Sequence, residues 1–289
     1  MDEPQRSFTI ADVTGQPAPE ISILDVGAMP TGRERYAPLV DQGCARVIGV
    51  EPNPASLAKL SEEERLRFIP HFLGDGKKAI FRNTRYPGCS SVLEPDAAVI
   101  DLFESIGATP ETGNFHVISE QEVNTVKLDD LPELPRFDLL TIDTQGSELS
   151  ILKYGRSVLS SVLVLETEVE FVPLYKEQPL FGHLQVELTQ QGFILHKLID
   201  MVSRPMRPFG GDNPFRPLSQ MLWADALFVR DFTKLEHFDD EELLRAATIL
   251  NDVYLSYDLA FYLLGELDRR TGTTLTHTYL ETFIRVQPS

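Results

Sequence analysis

Five acidic residues stand where short apolar runs end: Asp25 in ISILDVGA, Glu51 in VIGVEPNP, Asp75 in FLGDG, Asp143 in LLTID and Glu166 in LVLETE. An acid at the carboxyl end of a strand can accept hydrogen bonds from a ribose, face a cation, take a proton or hold a metal. Asp25 leads into a loop made of Gly27, Ala28, Met29 and, later, Gly32. A pyrophosphate-binding loop needs three spaced glycines so that the backbone can approach the phosphates. Here Met29 and Thr31 occupy the later glycine positions, and Gly32 falls one residue out of register. Glu51 follows Gly27 by 24 positions and is closed off by Pro52. It stands where an acid can accept from both hydroxyls of a ribose, at roughly 1.5–3 kcal/mol for each charge-assisted hydrogen bond. Asp75 could receive an adenine amino group, or be a simple turn aspartate. A loop that need not touch phosphates, beside the acid Asp25, suits the cationic sulfonium and ammonium of S-adenosylmethionine (SAM) better than it suits NAD.

Such acids need a frame, and the pattern of apolar runs supplies one. ISILDVGA, ARVIGVEPNP, RFIPHFLG, FDLLTIDTQG and SVLVLETEVE read as strands, and KKAIFRNT as an extra ribbon. Residues 33–42 read as a helix stopped at Gly43, and ASLAKLSEEERL as a second helix. SELSILKYG is a third, with Ser147 as N-cap and Gly155 beyond its end, and residues 179–192 are a fourth. FILHKLIDM and QMLWADALFVRDF close the series as two strands joined by a loop, so one of them is expected to be antiparallel. The alternation predicts an α/β fold: a doubly wound, mainly parallel, seven-stranded, Rossmann-like sheet with helices on both faces. Residues 1–20 are polar, contain three prolines and read as a loose N-terminal lead. Residues 21–232 form the predicted catalytic domain, and 233–289 a helical C-terminal extension with Asp239 as N-cap. The stripe Tyr254, Tyr257, Phe261 reads as core or as the interface of a homo-oligomer formed through these helices.

Bulk composition narrows the function further. A net charge of −18 over 289 residues argues against nucleic-acid binding and anionic membranes, because it repels phosphate backbones. Cys44 and Cys89 are the two cysteines, enough for neither a zinc cluster nor a disulfide framework, and they suit a reducing cytosol. No signal-like h-region and no run near ~20 apolar residues is present, so a cytoplasmic protein without a membrane span is expected. The histidines form no ligand pair, and His71 reads as structural.

ILDVGA, VIGVEPNP, GCSSVLEP, VKLDDL, LLTIDTQGSELSILKYG, EFVPLY and QMLWADALFVRD, in that order over about residues 21–232, resemble the FkbM family of SAM-dependent methyltransferases. IDTQGSELSILKYG is the most specific piece, matching the family's Ile-Asp-x-x-Gly-x-Glu block. The family usually writes the first loop Asp-Val-Gly-Ala-Asn-x-Gly. Here Met29 replaces the Asn, and an extra residue delays the Gly. The resemblance implies a class I methyltransferase acting on hydroxyl oxygens of a small molecule, a sugar or other glycan, or a polysaccharide or polyketide precursor.

With the class I strand order, Asp143 and Glu166 would project from neighbouring strand ends into one cleft, ~4.8 Å being the strand spacing. Asp143 is then either a proton acceptor or, with Glu166, a ligand of Mg²⁺ that orients and acidifies the hydroxyl. Glu168 shares the face of Glu166. Ser90 and Ser91 could line the acceptor site, and the loop 203–220, with Arg204, Arg207 and Arg216, could grip an anionic acceptor. Two other functions remain open. An NAD-dependent dehydrogenase lacks its glycine loop here, and a catalytically silent binding or assembly protein would use the helical tail.

Overall fold

The computed structural model describes residues 8–28, 34–58, 64–131 and 134–286. Along the chain run α1 (Ile10–Thr14), β1 (Ile21–Val26), α2 (Ala37–Asp41), β2 (Ala45–Val50), α3 (Pro54–Leu57), β3 (Leu66–Ile69), β4 (Phe72–Leu73), β5 (Lys78–Thr84) and α4 (Ala97–Ile100). They are followed by β6 (Val117–Val126), β7 (Leu139–Ile142), α5 (Glu148–Lys153), α6 (Arg156–Leu159), β8 (Val164–Glu170), α7 (Phe181–Gln190), β9 (Phe193–Ser203) and β10 (Met221–Arg230). Three helices end the chain: α8 (Asp240–Asp252), α9 (Tyr257–Thr271) and α10 (Leu275–Val286).

Seven strands form one sheet in the order β3-β2-β1-β7-β8-β10-β9. β1 pairs in parallel with β2 on one side and β7 on the other, β2 with β3 and β7 with β8; β10 runs antiparallel to both β8 and β9. This is the class I methyltransferase arrangement expected from the sequence. The direction of chain progression reverses at β1, and the crevice at such a switch point lies beyond the carboxyl ends of the strands. RFIPHFLG, expected as a single strand, divides at Pro70. Leu66–Ile69 stays in the main sheet, and Phe72–Leu73 pairs with β6 in a small sheet of order β4-β6-β5. Proline has no N–H to give the ladder, so the strand breaks there and its continuation turns away.

Alternate residues of β1 face opposite layers. Leu24 and Val26 pack under α5 and α7, with Ile151, Leu152, Leu184 and Leu188. Ile21 and Ile23 pack on the other side with Leu243, Ala247, Leu250, Leu263 and Leu264 of α8 and α9. The C-terminal helices therefore form the second helical layer of the sheet rather than an appendage. Tyr254 is buried, the Phe261 ring lies tilted at 5.9 Å from that of Tyr279, and Tyr257 stacks on the Phe8 ring at 5.8 Å, so the aromatic stripe is turned inward.

The N-terminal lead is also less loose than its prolines suggest. Within its described part, Phe8 and Ile10 are buried, the Ile10 N–H donates to Asp252 Oδ1 at 3.0 Å, and Asn251 donates to the Phe8 carbonyl at 2.8 Å. Burial of two large apolar side chains outweighs the polar average of the segment.

α8 starts at a reciprocal cap. Asp239 Oδ1 accepts from the Glu242 N–H at 2.7 Å, and Glu242 Oε2 accepts from the Asp239 N–H at 3.0 Å. Asp239→Ala is expected to cost about 1 kcal/mol in denaturant unfolding. A loss within error would show that α8 is held by its packing alone. Among the described residues no helix is long and apolar enough to cross a membrane.

Candidate active site

Gly27 leaves β1 with φ +90°, and its N–H donates to the Val50 carbonyl at 2.9 Å. A Cβ at this position would lie 1.9 Å from the Asp143 carbonyl oxygen. The absence of a side chain is thus what lets the β1 loop lie against the loop after β7. The Ala28 N–H also reaches the Val50 carbonyl, at 3.3 Å. Met29 and Gly32 lie outside the described residues.

A cleft opens at this junction, walled by Gly27 from β1, Glu51 and Pro52 from β2, and Asp143, Thr144 and Gln145 from the β7 loop. Glu51 is 5 % exposed and accepts from the Asn53 N–H at 2.6 Å. Burial pushes its carboxyl pKa up, against the lowering by that hydrogen bond. The far wall comes from the small sheet and the turn after it: His71, Phe72, Phe81, Gly88 and Ser90. The Phe72 and Phe81 rings lie 4.9 Å apart.

Asp75 is not part of these walls. It sits in the turn between β4 and β5, where its oxygens take the Lys77 ammonium at 2.7 Å and the Lys77 N–H at 3.1 Å. The same split at Pro70 that made the small sheet carries Asp75 away and presents the two phenylalanines instead. His71, read as structural, lines the cleft.

Asp25 lies on the β1 face that carries Ile21 and Ile23. Tyr36 Oη donates to its Oδ2 at 2.7 Å and Thr141 Oγ1 to its Oδ1 at 2.8 Å, so both oxygens already have protein partners. Burial raises its pKa most, Tyr36 and Thr141 lower it, and Asp143 and Glu166 add to the rise. Glu166 neighbours Thr141 across the β7–β8 pair but does not reach the cleft as an unpaired acid. Arg35 Nε donates to both Glu166 oxygens, at 3.1 and 3.2 Å, and Arg35 Nη2 to Asp200 and Asp225, each at 2.9 Å. Carboxylates outnumber that guanidinium. Burial and Glu166 push Asp225 up to about 6, and burial with Asp25 and Glu166 pushes Glu34 up to about 7.

Asp143 ends β7 and opens into the cleft, where solvent reaches it, although protein surrounds it elsewhere. Burial raises its pKa, and Gln145 and Glu168 lower it by hydrogen bonding. The loop that carries it is tied by Glu148. This 2 % exposed carboxylate accepts from the N–H groups of Thr144, at 2.8 Å, and Gly146, at 2.9 Å, and from the Thr144 hydroxyl. Ser147 occupies the N-cap position of α5 but makes no cap; its hydroxyl donates to Thr144 Oγ1 at 2.9 Å. Gly146, at φ +108°, has a Cβ direction blocked by Leu93 at 2.7 Å. The Gly and Glu of the Ile-Asp-x-x-Gly-x-Glu block therefore shape the loop, and its Asp is what the loop presents.

Sequence reasoning missed Gln145, Arg35, Tyr36 and Thr141. Gln145 sits at an unspecified place in the block, and the other three act on Asp25 or Glu166 only through contacts made by folding. In the loop 203–220, Arg204 lies over the rings of Phe215 and Trp223 at 5.4 and 5.5 Å, and Arg207 donates to the carbonyls of Asp101 and Ile106. Two of its three arginines thus hold the lobe together, and Arg216 stays exposed.

The Methyltransferase FkbM domain matches residues 25–195, more than half of the chain. The chain belongs to this family. It is a SAM-dependent methyltransferase, and the matched span contains the β1 loop, Glu51 and the whole Asp143 loop. No curated protein matches significantly. Among solved structures, it is similar to a magnesium protoporphyrin IX methyltransferase from Synechocystis PCC 6803 with bound SAM, at 11 % identity and a TM-score of 0.36 over 76 % of each chain. It is also similar to a SAM-dependent methyltransferase from Mesorhizobium loti, at 12 % identity and a TM-score of 0.38, over 75 % of this chain and 95 % of that one. FkbM membership rests on the domain match alone.

Proposed function

We propose that this FkbM-family protein transfers a methyl group to a hydroxyl oxygen of a small-molecule or glycan acceptor, with residues 21–232 as the catalytic unit and 233–289 as its helical cover. The observation that carries this reading is the opening of the Asp143 carboxyl into the cleft formed by Gly27 and Glu51. The walls fit SAM: a buried acid at the end of β2 for the ribose, apolar rings beyond it, and a loop held close by a residue without a side chain. Gly27, Ala28, Glu51 and Pro52 would hold it, with Met29 in the adjoining loop. Asp25 acts behind them by fixing Tyr36 and Thr141. When bound, SAM would supply an electrophilic methyl group to the acceptor oxygen, with sulfur as the leaving group.

Asp143 accepts the proton that leaves the acceptor hydroxyl. Its raised pKa makes it a stronger base than an ordinary carboxylate. Glu166 is not free to hold a metal with it, because Arg35 engages both its oxygens. Among the described residues no group of three or more His, Cys, Asp or Glu is arranged around a metal position. The donor set does not fit Mg²⁺ between Asp143 and Glu166, and no step is assigned to a metal.

Glu51→Gln tests the cofactor half of this reading. It removes the charge and keeps the shape, so S-adenosylhomocysteine (SAH) affinity should fall about tenfold or more, matching roughly 1.5–3 kcal/mol for a hydrogen bond to a charged group. Unchanged SAH affinity in calorimetric titration would place the ribose elsewhere. SAH binding by the wild type without turnover on any hydroxyl acceptor would favour the silent binding protein instead.

A further inference from the structure

Gln145 combines features that loop geometry alone does not require. Its backbone is in the left-handed region, φ +57°, where residues other than glycine are strained by about 1–2 kcal/mol. Its Nε2 donates to Asp143 Oδ1 at 2.8 Å and to Glu168 Oε2 at 2.6 Å. Its Oε1 accepts from Tyr175 Oη at 3.3 Å, and its main-chain carbonyl accepts from Ser91 Oγ at 2.6 Å. Tyr175 Oη is itself fixed on the Cys89 carbonyl at 2.8 Å. Every polar atom of the side chain is thus used, and the strain is held by residues from two distant segments.

We propose that Gln145 is a positioning residue that locks the Asp143 and Glu168 carboxyl groups side by side as one proton-accepting unit at the cleft. This rests on the O-methyl transfer reading and names the neighbour that tunes its base. An acceptor O–H bond breaks, its proton goes to the Asp143 carboxylate, and the oxygen keeps the electron pair that forms the O–C bond. Asp143 raises Glu168 by proximity, because two carboxylates a hydrogen bond apart cannot both ionise at ordinary pH. The amide counters this by donating to both, which keeps the pair ionisable. Burial and Asp143, Glu170, Glu148 and Asp225 push Glu168 well above the usual carboxylate range. Burial also raises Asp143, which faces Gln145 and Glu168. Tyr175 and Cys89 face the pair from the overlying lobe; burial pushes both up first, followed by these carboxylates for Cys89 and by Cys89 and then the carboxylates for Tyr175.

Gln145→Gly separates positioning from structure, because glycine adopts φ +57° without strain and leaves the carbonyl for Ser91. Carboxyl-carbon NMR titration of the full-length protein, without added ligand, is the first readout. In the wild type, Asp143 and Glu168 should titrate in two separated steps. In the variant, both midpoints should move to higher pH, because each carboxylate loses a donor. Turnover should fall about 10²-fold, as expected for a misplaced catalytic group, with the acid limb of its pH profile shifted upward and SAH affinity unchanged. Tyr175→Phe, which keeps the ring, should move the same midpoints less and in the same direction. Unmoved midpoints in Gln145→Gly would overturn the clamp. So would a loss of SAH binding in step with turnover, which marks a merely structural residue. Should no hydroxyl acceptor be found for the wild type, O-transfer fails, and the carboxyl titration by itself upholds or overturns the clamp.

Discussion

Asp143→Asn is expected to lower turnover by about 10²–10⁴-fold, the range for removal of a general base, while SAH still binds. The substitution keeps the side-chain shape, and its Oδ1 can still accept from Gln145. Gly27 and Glu51 are untouched, so the cofactor walls remain. The pH behaviour follows from the direction of the shift. Because the Asp143 pKa is raised, wild-type turnover should decline as pH falls through a value above the ordinary carboxylate range, near ~4.

Stability should move the opposite way. A carboxyl with a raised folded-state pKa binds its proton more tightly in the native state, so its contribution is present below the unfolded pKa and is lost as pH rises through the folded one. The substituted amide carries no such loss, and the variant should gain stability relative to wild type at pH 8 but not at pH 4. Stopped-assay turnover with SAH calorimetry measures the first effect, and urea unfolding at the two pH values the second. Undiminished turnover would remove Asp143 from the mechanism. Equal stability differences at both pH values would mean that its proton is held no differently after folding.

Gly27→Ala is expected to abolish SAH binding and to destabilise the fold. The left-handed backbone alone costs an L-residue about 1–2 kcal/mol. The larger cost comes from the new Cβ, 1.9 Å from the Asp143 carbonyl oxygen and 2.9 Å from its carbon. Those atoms belong to the backbone of the β7 loop, which Glu148 ties down, so relief requires the ends of β1 and β7 to separate. That separation opens the wall of the cleft and displaces Asp143 with it. Gly211→Ala is the control: φ is +57° and nothing lies within 4 Å of the added carbon, so only the backbone cost applies. Urea unfolding of both variants, with SAH titration of each, decides the matter. A Gly27→Ala protein that binds SAH as wild type does would show that the two loops are not in the contact described.

Much of the fold was legible in the sequence because buried strands and their punctuation are local. Runs such as ISILDV and LLTI are apolar on both faces, as strands covered by helices on both sides must be, and Gly43 and Gly192 close their elements at positive φ as chain-stopping glycines do. Gly27, Glu51 and Asp143 were legible for the same reason: each is fixed by the end of a strand, and strand ends converge at the switch point whatever the side chains around them do.

The partners of the acids were decided only by tertiary structure. Nothing near Glu166 in the chain announces Arg35, 131 positions away, nor does anything near Asp25 announce Thr141, 116 positions away. Those pairings require the strand order β1-β7-β8 and its register, and they convert two expected cleft acids into internal ones. Asp75 left the cleft because one proline broke a strand. The polar N-terminal lead was captured because Phe8 and Ile10 found an apolar floor made by helices more than two hundred residues later. Strand ends are set by local periodicity, so the sequence by itself determined where acids and glycine meet. Charge pairing and burial depend on what lies across space, so only the folded chain decided which of those acids still face the cleft.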